Sequence, residues 1–152
     1  MSGHSRQFER ALPIALLRAR EATMRLFKPH VDAHGLSLPQ WRVMRALAEM
    51  GPLDATELSE RCAILGPSLT RILRALEDRG FTAPSGEPSR DARRRVVVLT
   101  QEGAALFHSM VPESERIYRE LEAEFGSERL ETLLTLLEDL REAATRLRPR
   151  ED

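Results

Sequence analysis

Three features of the 152-residue sequence predict a mainly α-helical fold with a small β-wing, a winged helix-turn-helix joined to a helical dimerisation module. The first is a helix end, LEDRG, followed by a short loop, an arginine cluster at Arg90, Arg93, Arg94 and Arg95, and then VVVLTQEG. An apolar β-branched run after a basic turn, with a new helix opening at Thr100, has the pattern of a wing. The second is a pair of short helical segments joined by the tight connection AILGP, the arrangement of a helix-turn-helix. The third is a C-terminal stripe of Leu133, Leu134, Leu137, Leu140, Ala144 and Leu147, which a single helix cannot bury alone.

Taken in order, the first helix is expected from about Gln7 to His34. Its inward face would be Phe8, Leu12, Ala15, Ala19, Ala22 and Leu26, at spacings of three and four. Pro13 and Pro29 imply a late start or a kink, and Gly35 ends the helix. Ser37 with Gln40 makes a capping box for a second helix that runs to Gly51 and carries Trp41, Val43, Met44 and Leu47. Asp54 with Glu57 makes another and opens a short helix through about Arg61. The next helix starts at Pro67 or Ser68, runs to Arg79 and stops at Gly80. Leu69, Ile72, Leu73 and Leu76 fall on its buried face, which leaves Ser68, Arg71, Arg74 and Asp78 toward solvent. After Thr100 the chain is helical to about Phe125, and Gly126 with Ser127 marks a break and a new N-cap. The expected division is a winged helix-turn-helix lobe over 37–103 and a dimerisation module made of 1–36 and 104–152.

A formal net charge of −1 hides an uneven distribution. Residues 1–52 carry 8 basic against 4 acidic side chains, 53–100 carry 8 against 7, and 101–152 carry 7 against 13. Only Lys28 among the 23 basic residues is lysine, so the positive charge resides in planar forks suited to phosphate, guanine and carboxylate. An arginine-rich codon usage would give the same bias. No stretch approaches the roughly 20 apolar residues that span a bilayer, and the N-terminus lacks a basic-then-apolar signal pattern, so the expected location is the cytoplasm. Cys62 is the one cysteine, which excludes an intramolecular disulfide or a cysteine-rich zinc site. Inside the helix-turn-helix, beside Ala63, Ile64 and Leu65, it reads as a buried and inert thiol.

The segment DARRRVVVLTQEG places Asp91, Arg93, Val97, Leu99, Thr100 and Gly103 in a D-x-R, then V-x-L-T-x-x-G, signature. It resembles the wing of the multiple-antibiotic-resistance regulator (MarR) family, and the order of elements agrees along nearly the whole chain. The stretches LPIALLRAREATMRLFKPHVDAHGLSLPQWRVMRAL and CAILGPSLTRIL resemble the branch of that family that represses homoprotocatechuate (3,4-dihydroxyphenylacetate) degradation operons. The resemblance implies a homodimeric repressor bound to double-stranded DNA at a pseudo-palindromic operator and released by a small aromatic acid. After its recognition helix the family usually has a glycine, two apolar residues and a basic residue two positions on; this chain reads GFTAP. Thr82 and Pro84 therefore shorten the first wing strand and remove one customary phosphate contact, for which Arg90 can substitute.

On that plan Arg71 and Arg74, with Ser68 and Thr70 near the helix start, lie in the major groove, where an arginine grips guanine O6 and N7. Arg93 enters the minor groove with Asp91 holding its guanidinium, while Arg94 and Arg95 attract phosphate. A solvated helix face would carry the same arginines; the flanking wing favours the groove. The family's effector cleft lies between the dimerisation helices and the DNA-binding lobe, which here is lined from the first and second helices. Its candidates are Arg18, His34, Trp41 and Arg45: arginine to pair a carboxylate, tryptophan to stack on a ring, histidine to hydrogen-bond a phenol. Trp41 as a core anchor of the second helix remains the alternative.

His30 and His34 stand four apart with Asp32 between them, but no third ligand follows at a fixed spacing, so neither a metal nor another cofactor is expected. There is no phosphate-binding glycine loop, nucleophile elbow or paired metal motif, and an enzyme is not expected. The rival reading is a winged-helix module that binds another protein instead of DNA; the wing arginines argue against it.

Overall fold

A computed structural model of the chain describes residues 7–86 and 95–147. A 3-10 turn over Phe8–Arg10 precedes α1 (Leu12–Ala33), α2 (Leu38–Met50), the short strand β1 (Leu53–Asp54), α3 (Ala55–Cys62) and α4 (Gly66–Asp78). Strands β2 (Thr82–Pro84) and β3 (Val96–Leu99) and helices α5 (Gln101–Phe125) and α6 (Ser127–Arg146) complete it. The chain forms two compact units, Met1–Ser114 and Glu115–Asp152. No described helix is long and apolar enough to cross a membrane.

Capping chemistry sets the helix starts in the first unit. The Ser37 hydroxyl accepts the Gln40 N–H at 3.2 Å and the Gln40 side chain accepts the Ser37 N–H at 3.0 Å, the full reciprocal box at the head of α2. Asp54 accepts the Glu57 N–H at 2.8 Å and opens α3. Helix α4 begins at Gly66, ahead of the expected Pro67 or Ser68, because proline at the second helical position lacks an N–H that would have no partner anyway. The same logic starts α1 at Leu12 rather than Gln7, with Pro13 in the second position, while Pro29 is carried inside a helix that continues to Ala33.

The expected inward face of α1 is open. Phe8, Leu12, Ala15, Ala19, Ala22 and Leu26 are all exposed, and burial is confined to His30 and Val31 in its last turns. Only that end of α1 reaches the core, which gathers Val31, Leu36, Val43, Met44, Leu47, Leu58, Leu69, Leu76, Phe107 and Met110. Strand β1 was not legible as a strand. It pairs antiparallel with β3 (Leu53 opposite Val97), and β3 pairs antiparallel with β2 (Thr82 opposite Leu99), giving the order β1-β3-β2. The three-residue β2 agrees with a wing strand cut short at Pro84.

Thr100 joins the sheet to α5. Its backbone N–H donates to Phe81 O at 3.1 Å, its hydroxyl donates to Gly80 O at 2.5 Å, and the same hydroxyl accepts the Gly103 N–H at 3.0 Å. The approach is so close that a Cβ on Gly103 would stand 2.1 Å from the Phe81 carbonyl oxygen. That clash is why the wing signature ends in glycine.

In the second unit, Ile117 and Leu130 are buried, whereas Leu133, Leu134, Leu136 and Leu147 are exposed. Helix α6 is capped by Gly126 at φ 105°, with no side-chain cap; Ser127, expected as the cap, is already helical. Arg129 donates to Phe125 O at 3.2 Å and lies 4.4 Å from the Phe125 ring centre.

Candidate functional site

Helices α3 and α4 form the helix-turn-helix. Ala63 turns the chain in the left-handed region at φ 52°, Ser59 Oγ donates to Ile64 O at 2.5 Å, and Ile64 is buried beneath the turn. Helix α4 then buries Leu69 and Leu76 and half-buries Ile72 and Leu73, as its periodicity demands. The opposite face presents Thr70, Arg71, Arg74 and Asp78 to solvent, with Ser68 half-buried at its edge. Neither Arg71 nor Arg74 has an ion-pair partner among the described residues.

The far end of α4 is fastened by Arg79, which the sequence reading passed over. Its guanidinium donates to Gly35 O at 2.5 Å and lies 4.9 Å from the Phe81 ring centre, tying α4 to the loop after α1. Between α4 and the strands lies a cavity of about 270 Å³, bordered by Thr70, Arg74 and Glu77 on one side and by Thr82, Pro84 and Arg95 on the other. Arg74 and the exposed Arg95 thus border one concave surface. Arg90, Asp91, Arg93 and Arg94 lie outside the described residues.

Of the effector candidates, Trp41 and Arg45 come together. They stand one turn apart on α2, with the Arg45 guanidinium carbon 5.9 Å from the indole centre. Phe27 of α1, not singled out from the sequence, stacks on Trp41 with centroids 5.8 Å apart and planes at 25°. Its place four residues before the buried Val31 was the available signal. The Trp41 indole nitrogen is buried and has no hydrogen-bond partner among the described residues. Arg45 also pairs with Glu49 at 2.9 Å, an exposed contact of little energy.

Arg18 is elsewhere. It pairs with Glu9 at 3.3 Å and lies sixteen residues before His34, about 24 Å along a helix axis, so the two do not share one small ligand within a protomer. The half-buried His34 donates its Nδ1–H to His30 O at 2.9 Å, since a carbonyl only accepts. His30 is buried, and since a carbonyl only accepts, its Nε2–H donates to Met110 O at 3.1 Å with Ser114 Oγ at the same distance. The two imidazoles meet edge to face, centroids 5.1 Å apart.

Cys62 is buried, and burial raises its thiol pKa, partly opposed by the nearby Arg42 charge. Arg42 itself is lowered, chiefly by burial and then by repulsion from Arg20, and it donates to Cys62 O at 2.9 Å. The pair is a structural clasp between α2 and α3. No cluster of three potential metal ligands occurs among the described residues.

A helix-turn-helix with a bare, arginine-bearing second helix, backed by a sheet whose strands run out into an arginine-rich segment, defines a winged-helix DNA-binding regulator of transcription. The chain belongs to the MarR family, whose model matches residues 34–95. It is 43% identical over 129 residues to the homoprotocatechuate degradative operon repressor of Escherichia coli, covering 85% of this chain and 86% of that one. It is 38% identical over 130 residues to the regulator FarR of Neisseria gonorrhoeae, covering 86% and 88%. The crystal structure of NadR in complex with 4-hydroxyphenylacetate matches 92% of this chain and 97% of its own, with a TM-score of 0.80 and 37% identity. The protein is a transcriptional regulator and not an enzyme.

Proposed function

We propose that the protein is a cytoplasmic homodimeric repressor of an aromatic-acid catabolic operon, released from its operator by a small phenolic or aromatic carboxylate. The observation that carries the effector is the buried, unpaired indole N–H of Trp41 beside Arg45 and against Phe27. An unpaired buried donor costs about 1–3 kcal/mol, which an oxygen of the ligand would return. Arg45 supplies charge for a carboxylate, and the Phe27–Trp41 stack supplies a flat apolar wall. The relatives at 43% and 37% identity, one a repressor of homoprotocatechuate degradation and the other solved with 4-hydroxyphenylacetate, support the ligand class.

The lobe over 37–103 reads the duplex. Arg71 and Arg74, flanked by Ser68 and Thr70, serve as base readers in the major groove, and Arg90, Asp91, Arg93, Arg94 and Arg95 serve the wing. Residues 1–36 and 104–152 make the dimer, because the open leucines of α1 and those of α6 are apolar faces that their own units leave uncovered. Effector favours a dimer whose two lobes are spaced wrongly for the duplex, so DNA must weaken ligand binding by the factor by which ligand weakens DNA binding.

Titration calorimetry with 3,4-dihydroxyphenylacetate, 4-hydroxyphenylacetate and phenol tests the reading. The acids should bind, phenol should bind less well, and Trp41→Phe, which keeps an aromatic ring and deletes the donor, should weaken the acids. No heat from any of the panel would remove the effector from the account.

A further inference from the structure

Gly66 has no reason within the described chain to be glycine. Gly35, Gly51, Gly80, Gly86 and Gly126 hold positive φ, and Gly103 has the Phe81 backbone against it. Gly66 has no positive φ, and apart from its two chain neighbours and the backbone of its own helix no described atom lies within 4 Å of where its Cβ would stand. It is the first residue of α4, and glycine is a poor helix former. The proline that follows does not demand it. A pre-proline residue is discouraged from helical backbone partly through its Cβ, yet α1 and α2 open in the same way with Leu12–Pro13 and Leu38–Pro39. Leucine thus fills, in two other helices of this chain, the position that Gly66 fills in α4.

The place of Gly66 gives the missing side chain a use. The turn before it is pinned by the Ser59 bond to Ile64 O and by the buried Ile64, while Leu65 is 80% exposed and Pro67 is exposed as well. The result is an uncharged, firmly held edge one helical turn ahead of Thr70 and Arg71, and the Gly66 carbonyl accepts the Thr70 hydroxyl at 3.1 Å. We propose that Gly66 is the point of closest approach between α4 and operator DNA, where bare backbone lies against the duplex at a separation that a Cβ would occupy.

The inference rests on the DNA-binding reading and adds to it a residue that acts by having no side chain. Its consequence is the depth at which Arg71 and Arg74 enter the groove. Bidentate hydrogen bonds hold only over donor–acceptor distances of about 2.7–3.2 Å, so a methyl group that holds the helix away loses them. A looser, non-specific complex held by phosphate attraction does not need that depth.

The test uses the full chain as Gly66→Ala and Gly66→Leu, with Arg71→Ala as a comparison. Fluorescence anisotropy measures affinity for a duplex selected by the wild-type protein and for a random duplex, and thermal melts measure folding. Both glycine variants should melt at or above the wild-type temperature. Affinity for the selected duplex should fall about tenfold with alanine and further with leucine, while the random duplex is bound almost as before. Normal binding of the selected duplex would overturn the proposal, as would equal loss on both duplexes. A lowered melting temperature would give Gly66 a structural role instead. If the wild-type protein prefers no duplex over random DNA, the DNA reading itself fails and takes this inference with it. If Arg71→Ala loses specificity while both glycine variants keep it, only the present inference fails.

Discussion

Gly103→Ala should destabilise the protein more than any surface change. The new Cβ would stand 2.1 Å from Phe81 O and 2.9 Å from its carbonyl carbon, where ordinary contact begins near 3.4 Å, so α5 and the residue before β2 must part by about 1 Å. The same displacement stretches the bond from Thr100 N–H to Phe81 O and the one from the Thr100 hydroxyl to Gly80 O. Overpacking of this kind costs about 1–3 kcal/mol, and each of the two weakened hydrogen bonds adds about 1 kcal/mol. Alanine's better helix propensity offsets roughly 1 kcal/mol. A net loss of about 2–4 kcal/mol follows, a large fraction of the roughly 5–15 kcal/mol typical of a folded domain. Urea denaturation followed by circular dichroism should show a lower midpoint, by about 1–2 M, with the slope unchanged. An unchanged midpoint would refute the close approach of α5 to Phe81.

Further outcomes follow from the same geometry. Arg71→Ala and Arg74→Ala should each cost roughly 1–3 kcal/mol at defined, symmetry-related operator positions, whereas Arg95→Ala should weaken all sequences alike and reduce the salt dependence; footprinting on a base-substituted panel separates the two. Because burial raises the Cys62 pKa in the folded state, its contribution to stability is intact below the unfolded thiol value of about 8.5 and is lost as pH rises through the folded value. Urea midpoints measured from neutral to alkaline pH should therefore fall, and Cys62→Ala should fall less steeply. Sedimentation equilibrium should give twice the 17.2 kDa chain mass at micromolar concentration, and a stable folded monomer would contradict the role assigned to α1 and α6.

Local signals in the sequence carried much of the fold. The Ser37 and Asp54 caps and the periodicity of α4 depend on residues within a turn or two of one another, and they read correctly. Strand β1 did not, since Leu53 is a strand residue only because Val97, more than forty positions later, pairs with it. The stripe on α1 read as a core face but is open in one chain, because apolar spacing marks a surface to be covered without saying by what. In the candidate site, Trp41 and Arg45 are neighbours because they stand four apart on one helix, a proximity that spacing alone encodes. Phe27 reaches Trp41 from another helix, and Arg79 reaches Gly35 across 44 positions, contacts that no spacing encodes. Gly103 was legible as part of a signature, but the Phe81 carbonyl that requires it was visible only in three dimensions.

Selection of bound duplexes from a random pool, followed by footprinting of the winner, tests the central claim most directly. Two α4 helices related by a two-fold axis should enrich a pseudo-palindrome with half-site centres about 10 base pairs apart, protected on one side of the duplex. Enrichment of no sequence, or protection of a single unpaired half-site by the intact protein, would contradict the reading of this chain as a dimeric winged-helix regulator that recognises its operator through α4.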